Sequence, residues 1–123
     1  NRLNAALYRE VVNMVATGIA SVEDIDRAMV HSLGLRWAFL GPNLVYHLGG
    51  GEGGYAQYLD HLGSSQEVRW NDLGEVSLTS DIKQKLIDGL EETLEGRSIE
   101  TLRKERDDAL IKLLNLKNAV RQE

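Results

Sequence analysis

A single proline, Pro42, and twelve glycines bunched at a few points leave this 123-residue chain long stretches in which nothing breaks a helix. The apolar residues use that freedom at helical spacing. From Arg2 to Thr17, Leu3, Ala6, Leu7, Val11, Met14 and Val15 recur every three or four positions, with Tyr8 and Val12 widening the stripe beyond half the circumference. An arc that wide predicts a central helix. Gly18 suits a left-handed cap, and Ser21 with Asp24 resembles a capping box opening a second helix through Ile25, Ala28 and Met29. An apolar stretch from Gly34 to Leu40 ends at Gly41-Pro42, where proline fits the first turn of a helix through Leu44, Val45 and Leu48. The spacing predicts further helices over 55–62, over 82–94 after Thr79 or Ser80, and from Ser98 through Ile99, Leu102, Ala109, Leu113, Leu116 and Val120. Residues 63–74 show no clear period and read as irregular. No segment alternates with period two, so the expected fold is all-α, in one multi-helix domain over residues 1–123.

Composition narrows the partners. Fourteen Lys and Arg against nineteen Asp and Glu give a net charge of -5, a poor match for a phosphate backbone, so nucleic acid is not expected. Without cysteine there is no disulfide, thiolate metal site or cysteine nucleophile, and the expected compartment is the cytoplasm. No stretch approaches the length of a membrane span or looks like a signal peptide. The chain opens at Asn1 inside a segment already patterned as helix, so a natural start further upstream is expected.

The chemical motifs are few. Gly49-Gly50-Gly51-Glu52-Gly53-Gly54 formally satisfies G-x-G-x-x-G, but that cradle requires a preceding strand, and here it follows a helix and carries an acid that would repel phosphates. It reads as a loop or helix break, with no cofactor-binding residue in this chain. His31, His47 and His61 lack a second ligand-type residue at the helical offset a zinc motif needs, so no metal site is expected. Two charges interrupt the apolar pattern. Glu10 falls inside the arc of the first helix and needs a hydrogen-bonded partner if buried, for example a neighbouring helix end. Arg36, among Leu35, Trp37, Phe39 and Leu40, is either a snorkelling side chain or one awaiting a carboxylate. On the last helix, Glu100 with Lys104, Arg103 with Asp107 and Asp108 with Lys112 form opposite-charge pairs four residues apart.

The order Asn1-Arg2-Leu3, Glu10, Gly18, Ser21-Val22-Glu23-Asp24-Ile25-Asp26, then Gly34-Leu35-Arg36-Trp37-Ala38-Phe39-Leu40-Gly41-Pro42, resembles the C-terminal domain of NAD-dependent 3-hydroxyacyl-CoA dehydrogenases. Tyr46-His47-Leu48 before the glycine run, Gly96-Arg97-Ser98-Ile99 and Arg106-Asp107-Asp108 are most similar to the L-carnitine dehydrogenase branch, with the gulonate dehydrogenase and lambda-crystallin branch next. The resemblance implies a helical domain of the 6-phosphogluconate-dehydrogenase C-terminal type, used for substrate binding and homodimerisation. It also implies that NAD and the catalytic His–Glu pair belong to a Rossmann domain absent from this chain, which alone is expected to be inactive. Asn1 matches the family's Asn that helps hold the substrate and the catalytic His. Arg36 falls where the gulonate and carnitine branches carry an Arg implicated in binding the substrate carboxylate. A guanidinium fork suits a free carboxylate better than a thioester carbonyl, which favours a small hydroxy acid over an acyl-CoA. A trimethylammonium group would further need aromatic faces, for which Trp37 and Tyr46 are the foremost candidates, with Tyr55 and Tyr58 beside them. A 3-hydroxybutyryl-CoA or gulonate enzyme, and a non-catalytic helical dimerisation module, are the alternatives.

Overall fold

The computed structural model describes residues 1–121, which form α1 (Arg2–Ala16), α2 (Val22–His31), α3 (Leu33–Trp37), α4 (Pro42–Gly49), a single 3-10 turn (Gly51–Gly53), α5 (Gly54–Asp72), α6 (Ser80–Leu94) and α7 (Ile99–Arg121). No strand occurs among the described residues, and the all-α expectation holds. The chain divides into two compact units, Asn1–Leu90 and the residues from Glu91 onward.

In the first unit the core centres on α1, whose Val12 and Val15 are buried together with Ile25 of α2 and Tyr58 of α5. Only the C-terminal half of the wide α1 arc is covered: Leu3 is 82% exposed and Tyr8 53%. Punctuation follows the chemistry of the termini. Gly18 takes φ +75° just after α1, a conformation that costs glycine nothing. Ser21 Oγ accepts the Asp24 N–H at 3.1 Å, so the serine half of the capping box forms at the start of α2. Pro42 occupies the first turn of α4, and Thr79 Oγ1 accepts the Ile82 N–H at 3.3 Å to open α6. Within the first unit, the part of α6 up to Leu90 approaches α2 and α1. A side chain at Gly89 would stand 2.7 Å from Val22 Cγ2, and Lys85 reaches the Val15 carbonyl at 3.5 Å.

Helix α5 is more than twice as long as its apolar spacing predicts. Residues 63–72, expected to be irregular, continue it, and the connection to α6 is confined to 73–79. Once a helix is nucleated, each further residue adds a backbone bond at small cost, so an internal glycine such as Gly63, worth about 1 kcal/mol against alanine, does not stop it. The period was hidden because the extension is largely solvent-facing, with Val68 and Trp70 both exposed.

In the second unit, Ser98 Oγ accepts the Thr101 N–H at 3.1 Å and starts α7. Arg97 reaches the Leu94 carbonyl at 2.9 Å and Glu105 at 3.1 Å, closing the turn in which Glu95 and Gly96 both have positive φ. None of the three anticipated charge pairs forms on α7. Lys104 pairs with Asp108 at 3.4 Å, away from Glu100, and Arg106 pairs with its neighbour Asp107 at 3.0 Å. Lys104 has an acid four residues away on either side and takes the C-terminal one, although an acid N-terminal to lysine is the better orientation in an isolated helix; the difference is only a few tenths of a kcal/mol.

Candidate functional site

The most organised polar and aromatic cluster lies where α4 and α5 pack against each other. Tyr46 of α4 stacks on Tyr58 of α5, with ring centroids 4.7 Å apart and planes inclined by 28°. Tyr55 leans toward the same ring at 6.4 Å and 52°. The Tyr55 hydroxyl donates to Asn43 Oδ1 at 2.9 Å, and the Gln66 carboxamide donates to the Tyr58 hydroxyl. His47 Nδ1 accepts the Tyr55 N–H at 3.0 Å, a backbone donor that the first turn of α5 cannot satisfy within the helix.

The glycine run is what permits this approach. A methyl group on Gly50 would overlap the Gly54 carbonyl oxygen, and one on Gly54, which has φ +66°, would stand 2.6 Å from the His47 ring. These glycines therefore close a tight corner between two helices and set Tyr46 over Tyr58. The same geometry rules them out as a dinucleotide cradle, because the space over Gly50 and Gly54 is filled by the chain's own backbone and by His47. Among the described residues no three His, Asp or Glu side chains converge as metal ligands would.

The residues singled out from sequence fall into separate places. Asn1 is exposed at the start of α1; its carbonyl accepts the Ala5 N–H at 2.8 Å, and its side chain makes no capping bond. Arg36 and Trp37 are neighbours on α3, which packs on α2, whereas Tyr46 belongs to the α4–α5 junction. No hydrogen bond, ion pair or ring contact among the described residues joins Arg36 or Trp37 to Tyr46, and the Arg36 guanidinium has no partner of its own. Trp37 and Tyr46 keep 39% and 38% of their surfaces exposed, while Tyr58 is buried at 8%. Tyr58 was expected among the aromatic faces open to a ligand, but its ring is buried against Tyr46, and Gln66 was not anticipated as part of a site. The available signal was a pair of tyrosines on either side of a glycine corner, which brings rings twelve residues apart face to face.

Glu10 does find its partners. Asn13 Nδ2 donates to its two carboxylate oxygens at 3.0 and 3.4 Å, and the Gly74 N–H donates to Oε2 at 3.3 Å. The carboxylate thus holds the connection between α5 and α6, where a helix end had been the expected type of partner. A side chain at Gly74 would overlap the Asn13 carboxamide, so the connection lies directly on α1.

The sequence model of the 3-hydroxyacyl-CoA dehydrogenase C-terminal domain matches residues 1–92, and the chain belongs to that family. Within it, the chain is 47% identical over 111 residues to an L-carnitine dehydrogenase of Nocardiopsis dassonvillei, covering 90% of this chain and 34% of that protein. It is 44% identical to the L-carnitine dehydrogenase of Streptomyces coelicolor over 93% of this chain and 36% of that protein. With that of Oceanobacillus iheyensis the identity is 39%, over 94% of this chain and 38% of the relative. The chain spans about a third of the length of the curated relatives it matches. These matches reach beyond residue 92, so the relatives share sequence past the part common to the family.

Proposed function

We propose that this chain is the substrate-binding and dimerisation part of an NAD-dependent dehydrogenase that oxidises the 3-hydroxyl of a small, carnitine-like hydroxy acid to a ketone. The observation that carries the reading is Arg36, an exposed guanidinium on α3 flanked in sequence by apolar residues, with no carboxylate partner among the described residues. Such a fork is suited to a carboxylate brought by the substrate. The three relatives described above are L-carnitine dehydrogenases, which supports the same substrate class. In this reading Tyr46 and Trp37 offer aromatic faces to the quaternary ammonium group, and the Asn1 carboxamide helps hold the substrate beside the reacting hydroxyl. NAD, the oxidant, is held by residues outside this chain, since the glycine corner does not fit it. The uncovered N-terminal half of the α1 arc supports a homodimer, and the cysteine-free composition supports a cytoplasmic enzyme.

The full-length enzyme, assayed with NAD against L-carnitine, a gulonate-like sugar acid and 3-hydroxybutyryl-CoA, tests this directly. Reduction of NAD with L-carnitine as the preferred substrate is expected; preference for the thioester overturns it. Arg36→Lys keeps the charge and loses the fork, and a charged hydrogen bond of roughly 1.5–3 kcal/mol is at stake. The expected loss in kcat/KM for the free hydroxy acid is about ten- to hundredfold. An unchanged value leaves Arg36 a structural residue.

A further inference from the structure

A ring that recognises a cation must present its face at a fixed angle, because the attraction comes from the quadrupole normal to the ring plane and is lost when the ring turns edge-on. Tyr46 is more than a third exposed, so solvent does not hold it; one of its faces is stacked on Tyr58 at 4.7 Å and 28°. It makes no other ring contact among the described residues. Tyr58 has the opposite properties. It is buried, it also touches the Tyr55 ring, and its hydroxyl accepts a hydrogen bond from Gln66 two turns further along α5. We infer that Tyr58 is a positioning residue that fixes the plane of Tyr46 toward a quaternary ammonium group, and that Gln66 fixes Tyr58 in turn. The inference rests on the reading of Tyr46 as a substrate contact. Tyr58 acts through Tyr46 alone, since its own ring is too deeply covered to meet the ligand.

The test compares KM for L-carnitine with KM for its tert-butyl analogue, in which carbon replaces the quaternary nitrogen, in the full-length enzyme. The two compounds have the same shape, so their KM ratio isolates recognition of the charge and does not depend on the amount of active enzyme. Tyr58→Leu should raise the carnitine-to-analogue KM ratio about five- to tenfold while kcat changes by less than about twofold. Tyr58→Phe, which retains the stacked ring but loses the hydroxyl that Gln66 holds, and Gln66→Leu, which removes the same hydrogen bond, should each raise it about two- to threefold, well short of the effect of Tyr58→Leu. In a Tyr46→Leu background, Tyr58→Leu should have no further effect on the ratio, because the two rings act as one unit. A ratio unmoved by Tyr58→Leu, or an additive effect in the double variant, overturns the positioning role and leaves Tyr46 as a contact. A ratio unmoved by Tyr46→Leu overturns the substrate reading itself, and the inference with it. Should Tyr58→Leu fail to fold, Gln66→Leu decides, since it frees the hydroxyl without opening the core; an unchanged ratio there rejects the inference.

Discussion

Helices α1 and α7 both combine an apolar stripe with charged residues, yet the charges do different things in the two. On α1, Glu10 sits inside the apolar arc, accepts from the buried Asn13, and accepts the N–H of Gly74, a residue 64 positions away in sequence. On α7 and in the turn that leads into it, the ion pairs link residues one to eight positions apart, at side chains that are 42–79% exposed. The α1 clasp closes a long loop in a partly desolvated place, where an unmade hydrogen bond is costly. The α7 pairs exchange water for one another with little change. A charge in the wrong place in an apolar pattern was therefore the more informative one, and three regular surface pairs were the less.

The largest effect expected from this comparison comes from filling the clasp. Gly74→Ala puts a methyl group into the Asn13 carboxamide, and since Asn13 is nearly buried and bonded to Glu10, it has little room to retreat. A destabilisation of about 2–4 kcal/mol is expected in urea unfolding, the upper part of the range for overpacking plus a broken buried bond. Less than about 0.5 kcal/mol would mean that the connection lifts off α1 freely, and the contrast with α7 would lose its basis. Glu10→Gln is gentler. The amide keeps one acceptor but turns a donor toward either Asn13 or the Gly74 N–H, so one charge-assisted bond is lost and one donor is left facing another. About 1.5–3 kcal/mol is expected, with stability measured at constant pH.

Much of this was legible in the sequence, because it rests on local chemistry. Ser21, Pro42, Thr79 and Ser98 each announce a helix start, and each stands at one. Glu10 was visible as a misfit in need of a partner. What stayed hidden depends on where separate segments meet. Nothing local marks Gly74 as the partner of Glu10, and nothing in the glycine run says that it closes the corner between α4 and α5. The extension of α5 through residue 72 was missed for another reason: it is largely uncovered, so no buried face imposes a period on it. The candidate substrate residues were named individually, but the stack that fixes Tyr46 is a property of packing.

Within α7 itself, the comparison sharpens between a cap and an ion pair. Ser98→Ala removes the acceptor for the Thr101 N–H and should lower stability by about 1 kcal/mol, with the loss of protection against hydrogen exchange concentrated in the first turn of the helix. Uniform loss along all of α7 would show that the helix melts as a whole and that its first turn has no separate stability.

The smallest effect is expected at Lys104. Its ammonium is 3.4 Å from Asp108, the two side chains are 79% and 60% exposed, and Glu100 stands four residues to the other side. Lys104→Ala loses a pair worth roughly 0.2–0.5 kcal/mol, but alanine recovers part of that through its higher helix propensity. The net change should lie within about 0.5 kcal/mol of zero, and it should shrink further near 1 M salt, where the Debye length is only about 3 Å. Glu10→Gln should keep most of its cost at the same salt, because part of that cost is an unmatched donor in a half-buried place, which ions screen poorly. The pair of measurements thus separates two kinds of charge by their response to salt. A Lys104→Ala cost above about 1 kcal/mol that persists in high salt would place α7 in the same class as the α1 clasp and remove the distinction drawn between them.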